Sequence, residues 1–393
     1  CSPPGLAAML GRVSEIMGLS ADSRPGKFAS LVKDLTEARD VPALKEVIDL
    51  MLAEDSQFSL FARPVLQQVA ANMESFDNKM LKELALHTLN KLRGRVGSYE
   101  DEDYKIRESL CEVYVAERQW TEAAKTLSAM NLESRSRTPE QKAEKYVKIA
   151  ELYLEDDDAV SADTYCSRAA MVIHDVSDIP LQLRHKVCHA RILDSKRRFQ
   201  EAATMYFDVS QQTYGGQIAT EDLKMLLEMA VVCAILAPAG PQRSRCLAAL
   251  WKDERISTVS NYEILKKVYL ERIIKAHEVK QWEATLQDHQ KALMPDGQTV
   301  LQRAMLQHNV LAVSRIYKNI RIEDLSNVVE VPIKQTEHAA AAMISEKRLA
   351  GTIDQQTNLI HFKGDEDDSQ SWDRHIQGIC HRVSGAMDRI QCN

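Results

Sequence analysis

Two histidines on one predicted helix are the residues that come closest to a metal site. His185 and His189 are four positions apart, so a helix places both on one face, where zinc could bind. A hydrolytic zinc site of this type needs glutamate directly after the first histidine and a third ligand, but Lys186 stands there. Phosphate-binding loops of the GxxxxGK[ST] type and GxSxG elbows do not occur in the sequence. We therefore predict that the chain is not an enzyme and has no catalytic, cofactor-binding or metal-binding residues.

Charged clusters are the other candidates for chemistry. The acidic run 155–158 lacks the alternating oxygen ligands and the glycine of a calcium loop, which favours a solvated turn between helices. A second cluster is basic and covers a predicted helix and the turn after it: Arg184, Lys186, Arg191, Lys196, Arg197 and Arg198. This surface could face an acidic protein or an RNA. It could equally be a solvated face that Asp194 and Glu201 partly neutralise.

The cysteines indicate a reducing compartment. The chain has 8 cysteines, and no two of them have CxxC spacing, so a structural zinc site is not expected. Several lie in apolar helical patterns, where a free cysteine behaves as a small buried hydrophobic residue. The first residues show no signal-peptide pattern. We expect a cytoplasmic and nuclear protein.

Composition sets the fold class. The 393 residues are 45% hydrophobic and 27% charged, which is enough to form a core. With 14 glycines and 11 prolines, the chain is poor in the turn residues that an all-β protein of this size needs. The formal charge of −7 disfavours a protein whose main role is to bind nucleic acid. The longest uncharged run, 229–242, is shorter than the ~18 residues of a membrane span, so no membrane partner is expected.

A helical repeat organises the middle of the chain. A residue that begins a predicted helix recurs about every 40 positions, at Trp120, Ala159 and Phe199. Small residues follow three or four positions later, which suits closely packed helix pairs. This period predicts an α-solenoid of the tetratricopeptide or HEAT type over 100–298, after a helical arm over 1–99. The alternative is an irregular helical bundle with accidental similarity.

The pattern changes at about residue 299. Three helices, the third with Pro332 at its first position, precede an alternating segment centred on residues 355–357. We predict a winged helix over 299–363 with hairpin strands at 351–354 and 358–362. Short strands with an open edge are templates for another chain. We therefore predict partner-binding residues on the wing: Thr352, Asp354, Asn358, Ile360 and Phe362.

A winged helix also suggests DNA binding. Base and phosphate recognition needs basic or amide side chains on the third helix and in the wing. The third helix contains one lysine, Lys334, and the wing from Gly351 to Asn358 contains no lysine or arginine. Protein–protein binding is therefore favoured over nucleic-acid binding.

The last predicted domain, 364–393, is an acidic linker followed by a helix. Apolar residues recur every three or four positions along this helix, which is close to the heptad spacing that requires a partner helix. We call them the C-terminal seam: Trp372, Ile376, Ile379, Val383, Met387 and Ile390. The helix could fold back on its own winged helix, but a seam this long favours an intermolecular bundle.

A mainly α chain with helical repeats, a winged helix and a C-terminal helix has the layout of PCI-domain scaffold subunits. Its sequence more closely resembles the subunit-four family of the COP-nine signalosome, over about residues 100–390. The similarity is carried by six runs: 148–158, 190–194, 199–203, 242–255, 269–274 and 372–376. The related proteasome-lid subunit is the alternative, and the run 242–255 argues against it.

The resemblance implies a non-catalytic scaffold in a complex that removes the modifier Nedd from cullins. Neighbouring subunits would bind the winged-helix edge and the C-terminal helix, and the N-terminal arm would contact the cullin–RING ligase. The chemistry in that family belongs to a zinc subunit with an HxH motif, which this sequence lacks.

Overall fold

The chain forms two compact units, residues 1–188 and 189–393. The structure, a computed structural model, describes residues 16, 24–52, 59–73, 76–134, 137–212, 219–294, 297–362, 372 and 375–383. Helices make up the regular structure of the described part of the first unit, the last of them running past residue 188: Arg24–Glu37, Val41–Met51, Ser59–Asn72, Asn78–Leu92, Glu100–Ala116, Trp120–Ser128, Pro139–Glu155, Ala159–Ile173 and Ile179–Ser195, with a 3₁₀ turn at Val96–Ser98.

The second unit continues with helices and closes with a small sheet. Its helices before the sheet region are Phe199–Gln211, Thr220–Leu236, Pro241–Trp251, Tyr262–Tyr269, Ala276–Glu283 and Val300–Ile316, with 3₁₀ turns at Glu254–Thr258 and Asp288–Lys291. Strand β1 (Asn319–Arg321), helices Ile322–Val329 and Ile333–Ser345, and strands β2 (Gly351–Asp354) and β3 (Leu359–Phe362) follow. A final helix covers 375–383. The mainly α fold, with helical repeats followed by a winged helix and a C-terminal helix, is confirmed.

The predicted repeat begins its helices where expected. Helices start at Trp120, Ala159 and Phe199, and the small residues after each start are fully buried. Small side chains at these positions let neighbouring helices approach closely. The first residues themselves differ, because Phe199 is buried whereas Trp120 is only half-buried at the margin of the core.

The helices are joined by one recurring turn. At seven helix ends within the described ranges, a residue with positive φ precedes a backbone N–H that bonds to the carbonyl five residues earlier, the pattern of a Schellman motif. That residue favours glycine, because a Cβ is strained at positive φ. Charged residues occupy all seven positions: Arg39, Arg118, Asp157, Arg197, Glu271, Glu330 and Lys347.

The winged helix differs from its prediction in two details. Its sheet has three strands in the order β1-β3-β2, because 319–321 adds a strand to the predicted hairpin. Pro332 is the N-cap, with an extended backbone, and the third helix starts at Ile333, so the prediction of Pro332 as the first helical residue is wrong. Apolar side chains from the helices and sheet form one cluster that includes Ile320, Leu325 and Ile360.

The domain boundaries at 99, 298 and 363 stay predictions. No described helix is long and apolar enough to cross a membrane.

Candidate interaction surfaces

Strand β3 is the centre of the winged-helix sheet. Ile360 pairs with Ile320 of β1 on one side and with Ile353 of β2 on the other. Both pairings are antiparallel, so β3 uses its two edges within this chain.

This arrangement corrects two of the predicted wing contacts. Ile360 is fully buried and Phe362 is 7% exposed, and both belong to the winged-helix core. Side chains in this position belong to the core of the domain and do not lie on an exposed edge. A two-stranded hairpin would leave β3 open on one side, whereas β1 pairs with it there.

Of the two predicted hairpin strands, β2 is the one that lies at an edge of the sheet. Within the described residues, β3 is the only strand that pairs with it. Thr352 is exposed on β2. The strand begins at Gly351. A larger residue would not fit at this position, because a Cβ there would lie 2.7 Å from the His361 carbonyl oxygen. Edge pairing at β2 stays a prediction.

The tip of the wing is organised by Asp354. Its carboxylate accepts hydrogen bonds from the Gln356 backbone N–H at 2.9 Å and from the Thr357 hydroxyl at 2.8 Å. The hydrogen bond from Thr357 is the largest cause of a lowered pKa for Asp354. Asn358 closes the turn with a φ of 55°. Both residues therefore shape the tip, and their predicted contact with a partner stays a prediction.

The described residues of the C-terminal seam are solvent-exposed. Trp372 is 70% exposed, Ile376 49%, Ile379 60% and Val383 54%. Every other residue of the helix 375–383 is also exposed, so this helix has no buried face. Met387 and Ile390 lie outside the described residues. An isolated helix is marginal in water, so its exposed apolar side chains need a partner surface.

Two exposed arginines of the basic cluster are paired with acidic neighbours. Arg184 makes a two-point contact with Glu151, at 3.2 and 2.7 Å, and Arg198 makes one with Glu201, at 2.8 and 2.5 Å. Asp194, the other residue predicted to neutralise this surface, is a buried carboxylate, and that role stays a prediction. It is 2% exposed and accepts hydrogen bonds from Gln290.

His185 contacts Cys166 within the first unit. His185 Nε2 lies 3.1 Å from the Cys166 carbonyl oxygen and 3.5 Å from Cys166 Sγ. The search for groups of three or more His, Cys, Asp or Glu side chains that could hold a metal found none in the part of the chain that the structure describes.

A buried polar network joins the last repeat helices to the winged helix within the second unit. Arg243 is 3% exposed and donates to the carbonyls of Ala234 at 3.0 Å and Ile235 at 2.9 Å, at the end of helix Thr220–Leu236. Burial lowers the pKa of Arg243 to about 10. Burial, and then the charge of Arg243, lowers the pKa of His308 to about 4, so His308 is neutral and donates from Nε2 to the Arg272 carbonyl at 2.9 Å.

Sequence reasoning missed this network. Arg243 falls in the run 242–255, where the resemblance was strongest, but a lone arginine on a predicted helix gives no signal that it is buried. Arg348 completes the link, because it donates to Gln307 Oε1 at 2.8 Å and to the Ala239 carbonyl at 3.3 Å. The network fixes the winged helix, and with it β2, against the repeat helices that precede it.

Helical repeats locked to a winged helix with an exposed sheet edge and an exposed apolar helix define a PCI-domain assembly subunit. Two family models match the chain: PSMD12/CSN4, N-terminal, over residues 20–214, and the PCI domain over residues 286–364. The chain belongs to the COP9 signalosome subunit 4 family, because curated relatives of that name are 37–39% identical to it over 92–96% of its length.

Relatives from a plant, an amoeba and an insect are similar in sequence to this chain over nearly their whole length. The COP9 signalosome complex subunit 4 of Arabidopsis thaliana is 39% identical over 92% of each chain. That of Dictyostelium discoideum is 38% identical over 93% of this chain and 92% of its own length. The Drosophila melanogaster protein is 37% identical over 96% of this chain and 94% of its own.

Proposed function

We propose that this chain is a non-catalytic scaffold and substrate-sensing subunit of the COP9 signalosome, and that the complex removes Nedd from cullin–RING ubiquitin ligases. The observation that carries the proposal is the near full-length similarity to relatives that all bear the name of one subunit. The exposed seam and the open edge of β2 supply surfaces for other subunits. Its N-terminal arm contacts the cullin–RING ligase, and it works in the cytoplasm and nucleus.

Affinity purification of the tagged full chain, followed by mass spectrometry, tests the assignment. Recovery of signalosome subunits together with cullins supports it. Recovery of proteasome-lid subunits instead would establish the alternative, which the PSMD12/CSN4 family model leaves open by covering both proteins. The relatives' shared name favours the signalosome.

The non-catalytic role has its own test. The purified chain alone, incubated with a neddylated cullin, should release no modifier and should carry no stoichiometric zinc. The assembled complex containing the same chain should be active. Deneddylation by the isolated chain would make it an enzyme and end the scaffold proposal.

Nucleic-acid binding remains the alternative of another class. On the third helix, Ile333–Ser345, Lys334 is the only lysine or arginine, and the exposed wing carries Asp354. A site of this composition cannot neutralise phosphates. We expect no mobility shift of duplex DNA or RNA at physiological salt.

A further inference from the structure

Helix Val300–Ile316 contributes to two separate apolar cores within the second unit. Its beginning belongs to the core of the helical repeats, through Val300, Leu301, Ala304 and Met305. Its later part belongs to the core of the winged helix, through Leu306, Val310 and Val313. Three consecutive polar residues lie where the two cores meet, and all are buried: Gln307, His308 and Asn309. Buried polar groups are costly unless they are hydrogen-bonded, so these residues need partners.

Two of these polar residues bond to the segment that precedes helix Ala276–Glu283. His308 donates from Nε2 to the Arg272 carbonyl at 2.9 Å. Asn309 bonds to the N–H and the carbonyl of Ile274, each at 2.9 Å. Ile274 belongs to the core of the helical repeats, so these bonds connect that core to the winged helix. We call His308, Asn309 and the residues 272–274 to which they bond the polar joint.

The polar joint lies beside a buried positive charge. Arg243 is 3% exposed, and its guanidinium donates to the carbonyls of Ala234 and Ile235. It forms no ion pair with any residue that the structure describes. The carbonyls at the negative end of helix Thr220–Leu236 stabilise its charge instead. A positive charge on His308 would therefore meet a cation that has no carboxylate beside it.

The described elements around His308 supply no carboxylate that compensates a charge on it. Those packed against helix Val300–Ile316 include helices Thr220–Leu236, Ala276–Glu283, Ile322–Val329 and Ile333–Ser345 and the 3₁₀ turn Asp288–Lys291. Burial lowers the pKa of His308 to about 4, and Arg243 is the only described side chain whose charge adds to this effect. Carboxylates on or next to these elements bind other cations: Glu271 binds Arg315, Glu278 binds Lys267 and Glu346 binds Arg348.

We propose that the polar joint is a pH-sensitive latch, which opens when His308 is protonated and lets the winged helix move away from the helical repeats. A protonated imidazole in the closed joint is cut off from water and lies near Arg243, whereas water surrounds it in the open joint. Each side keeps its own apolar core, so opening breaks the polar bonds without unfolding either side. The latch lies within the second unit and does not depend on the proposed function.

The direction of the pH dependence follows from the lowered pKa of His308. The folded value is about 4 against an ordinary value of 6.5, so the open joint takes up the proton first as the pH falls. The latch is therefore closed most firmly above pH 6.5 and weakens as the pH falls towards 4. Between pH 7 and pH 5, the ratio of open to closed joint should rise by about 20-fold.

Hydrogen exchange of the full chain, measured at pH 7 and pH 5, tests the latch. The Ile274 N–H bonds to Asn309 in the closed joint and is freed when the joint opens. Its protection factor, which corrects for the intrinsic pH dependence of exchange, should fall about 20-fold between the two pH values. It should also stay at least about tenfold below the protection factors of β3 and of helix Phe199–Gln211, because those amides exchange only when a core unfolds.

Two variants identify the group that opens the latch. His308→Gln keeps a donor for the Arg272 carbonyl and has no charge at either pH, so it should lose the fall in protection at Ile274. The matched control is His338→Gln, at an exposed position on the third helix, which should keep the fall.

Circular dichroism checks that each variant is folded. If His308→Gln does not fold, Arg243→Gln takes its place, because removal of the neighbouring charge should make the fall smaller. The proposal fails if Ile274 is protected as strongly as the two cores, since the joint would then open only when the whole chain unfolds. It also fails if His308→Gln, or Arg243→Gln in its place, shows the full wild-type fall.

Discussion

The Asn309 side chain bonds to both backbone polar groups of Ile274. Its Oδ1 accepts from the Ile274 N–H and its Nδ2 donates to the Ile274 carbonyl, each at 2.9 Å, and both residues are 3% exposed. The asparagine lies on helix Val300–Ile316, and Ile274 lies in the segment before helix Ala276–Glu283. The side-chain amide thus bonds to the backbone of this segment as a neighbouring β-strand would. This contact ties the start of the winged helix to the preceding helical region.

Asn309→Ala should therefore destabilise the chain strongly. Two buried backbone groups lose their partners, and each costs about 1–3 kcal/mol. Urea unfolding measures the change in free energy. Gln335→Ala, an exposed substitution on the third helix, is the control and should change stability by less than ~0.5 kcal/mol. Equal stability of the two variants would show that the Asn309 contacts contribute nothing.

Ile360 should behave as a core residue. Ile360→Ala leaves a cavity and should cost about 2–5 kcal/mol in the isolated chain. Thr352→Ala, on the exposed edge strand, should be nearly neutral there. Thermal unfolding of both variants without partners checks the prediction. An unchanged melting temperature for Ile360→Ala would show that this residue is not part of the core, and it would again be a candidate for partner binding.

Stability should fall as pH drops below about 6.5. His308 has a folded pKa of about 4 against an ordinary value of 6.5, so the unfolded chain takes up this proton first. Its contribution is complete above 6.5 and is lost as pH falls towards 4, on the order of 3 kcal/mol in all.

Urea unfolding at a series of pH values isolates this effect. His308→Gln should flatten the dependence between 6.5 and 4, while His338→Gln, at an exposed position, should leave it as in the wild type. Identical pH profiles for His308→Gln and wild type would assign the acid sensitivity to other groups.

Arg39→Gly should stabilise the chain by about 1 kcal/mol. Arg39 has a φ of 55°, closes a Schellman turn and is exposed, so glycine relieves strain without removing a buried contact. The neighbouring Ala38→Gly should instead destabilise, because it adds freedom to the unfolded chain at a position without positive φ. Melting temperatures of the two variants should move in opposite directions.

The seam should be required for assembly and not for folding. Ile379→Asp places a carboxylate at a residue that is 60% exposed in the isolated chain, so its circular dichroism and melting temperature should not change. A bundle with other subunits would bury that charge at high cost. Co-expression followed by mass measurement should then show a smaller assembly.

Gln377→Asp puts the same charge off the seam of the same helix and should assemble normally. If Ile379→Asp also assembles normally, the seam does not face a partner. If the isolated variant unfolds, the helix packs on its own chain.

Periodicity in the sequence was enough to predict where the helices at Trp120, Ala159 and Phe199 begin, because the small buried residues that follow them are local signals. The turns between helices were not predictable in the same way, since Arg118 and Asp157 stand where glycine would have marked them. Strand β1 is three residues long and is recognisable only through its pairing with β3.

The interior polar residues were equally hidden. Whether Arg243 or Asn309 is buried depends on the backbone carbonyl and amide groups to which each side chain bonds. These groups belong to other segments of the chain, so the sequence around each residue does not reveal them. The candidate surfaces followed the same rule. The spacing of apolar residues was enough to predict the seam. The position of Ile360 on a central strand depends on the third strand, β1, which no local sequence pattern predicted.

The central place of β3 has a consequence for how a complex would select its subunits. Strand β2 is held in place by β3, and β3 pairs in turn with β1 and carries the buried Ile360 and Phe362. A chain whose winged helix has not folded therefore has no ordered β2 edge to offer. If partners add their strands there, only a chain with a folded winged helix can pair with them. Subunits with a damaged winged helix would then be left out of the complex without the help of a separate chaperone.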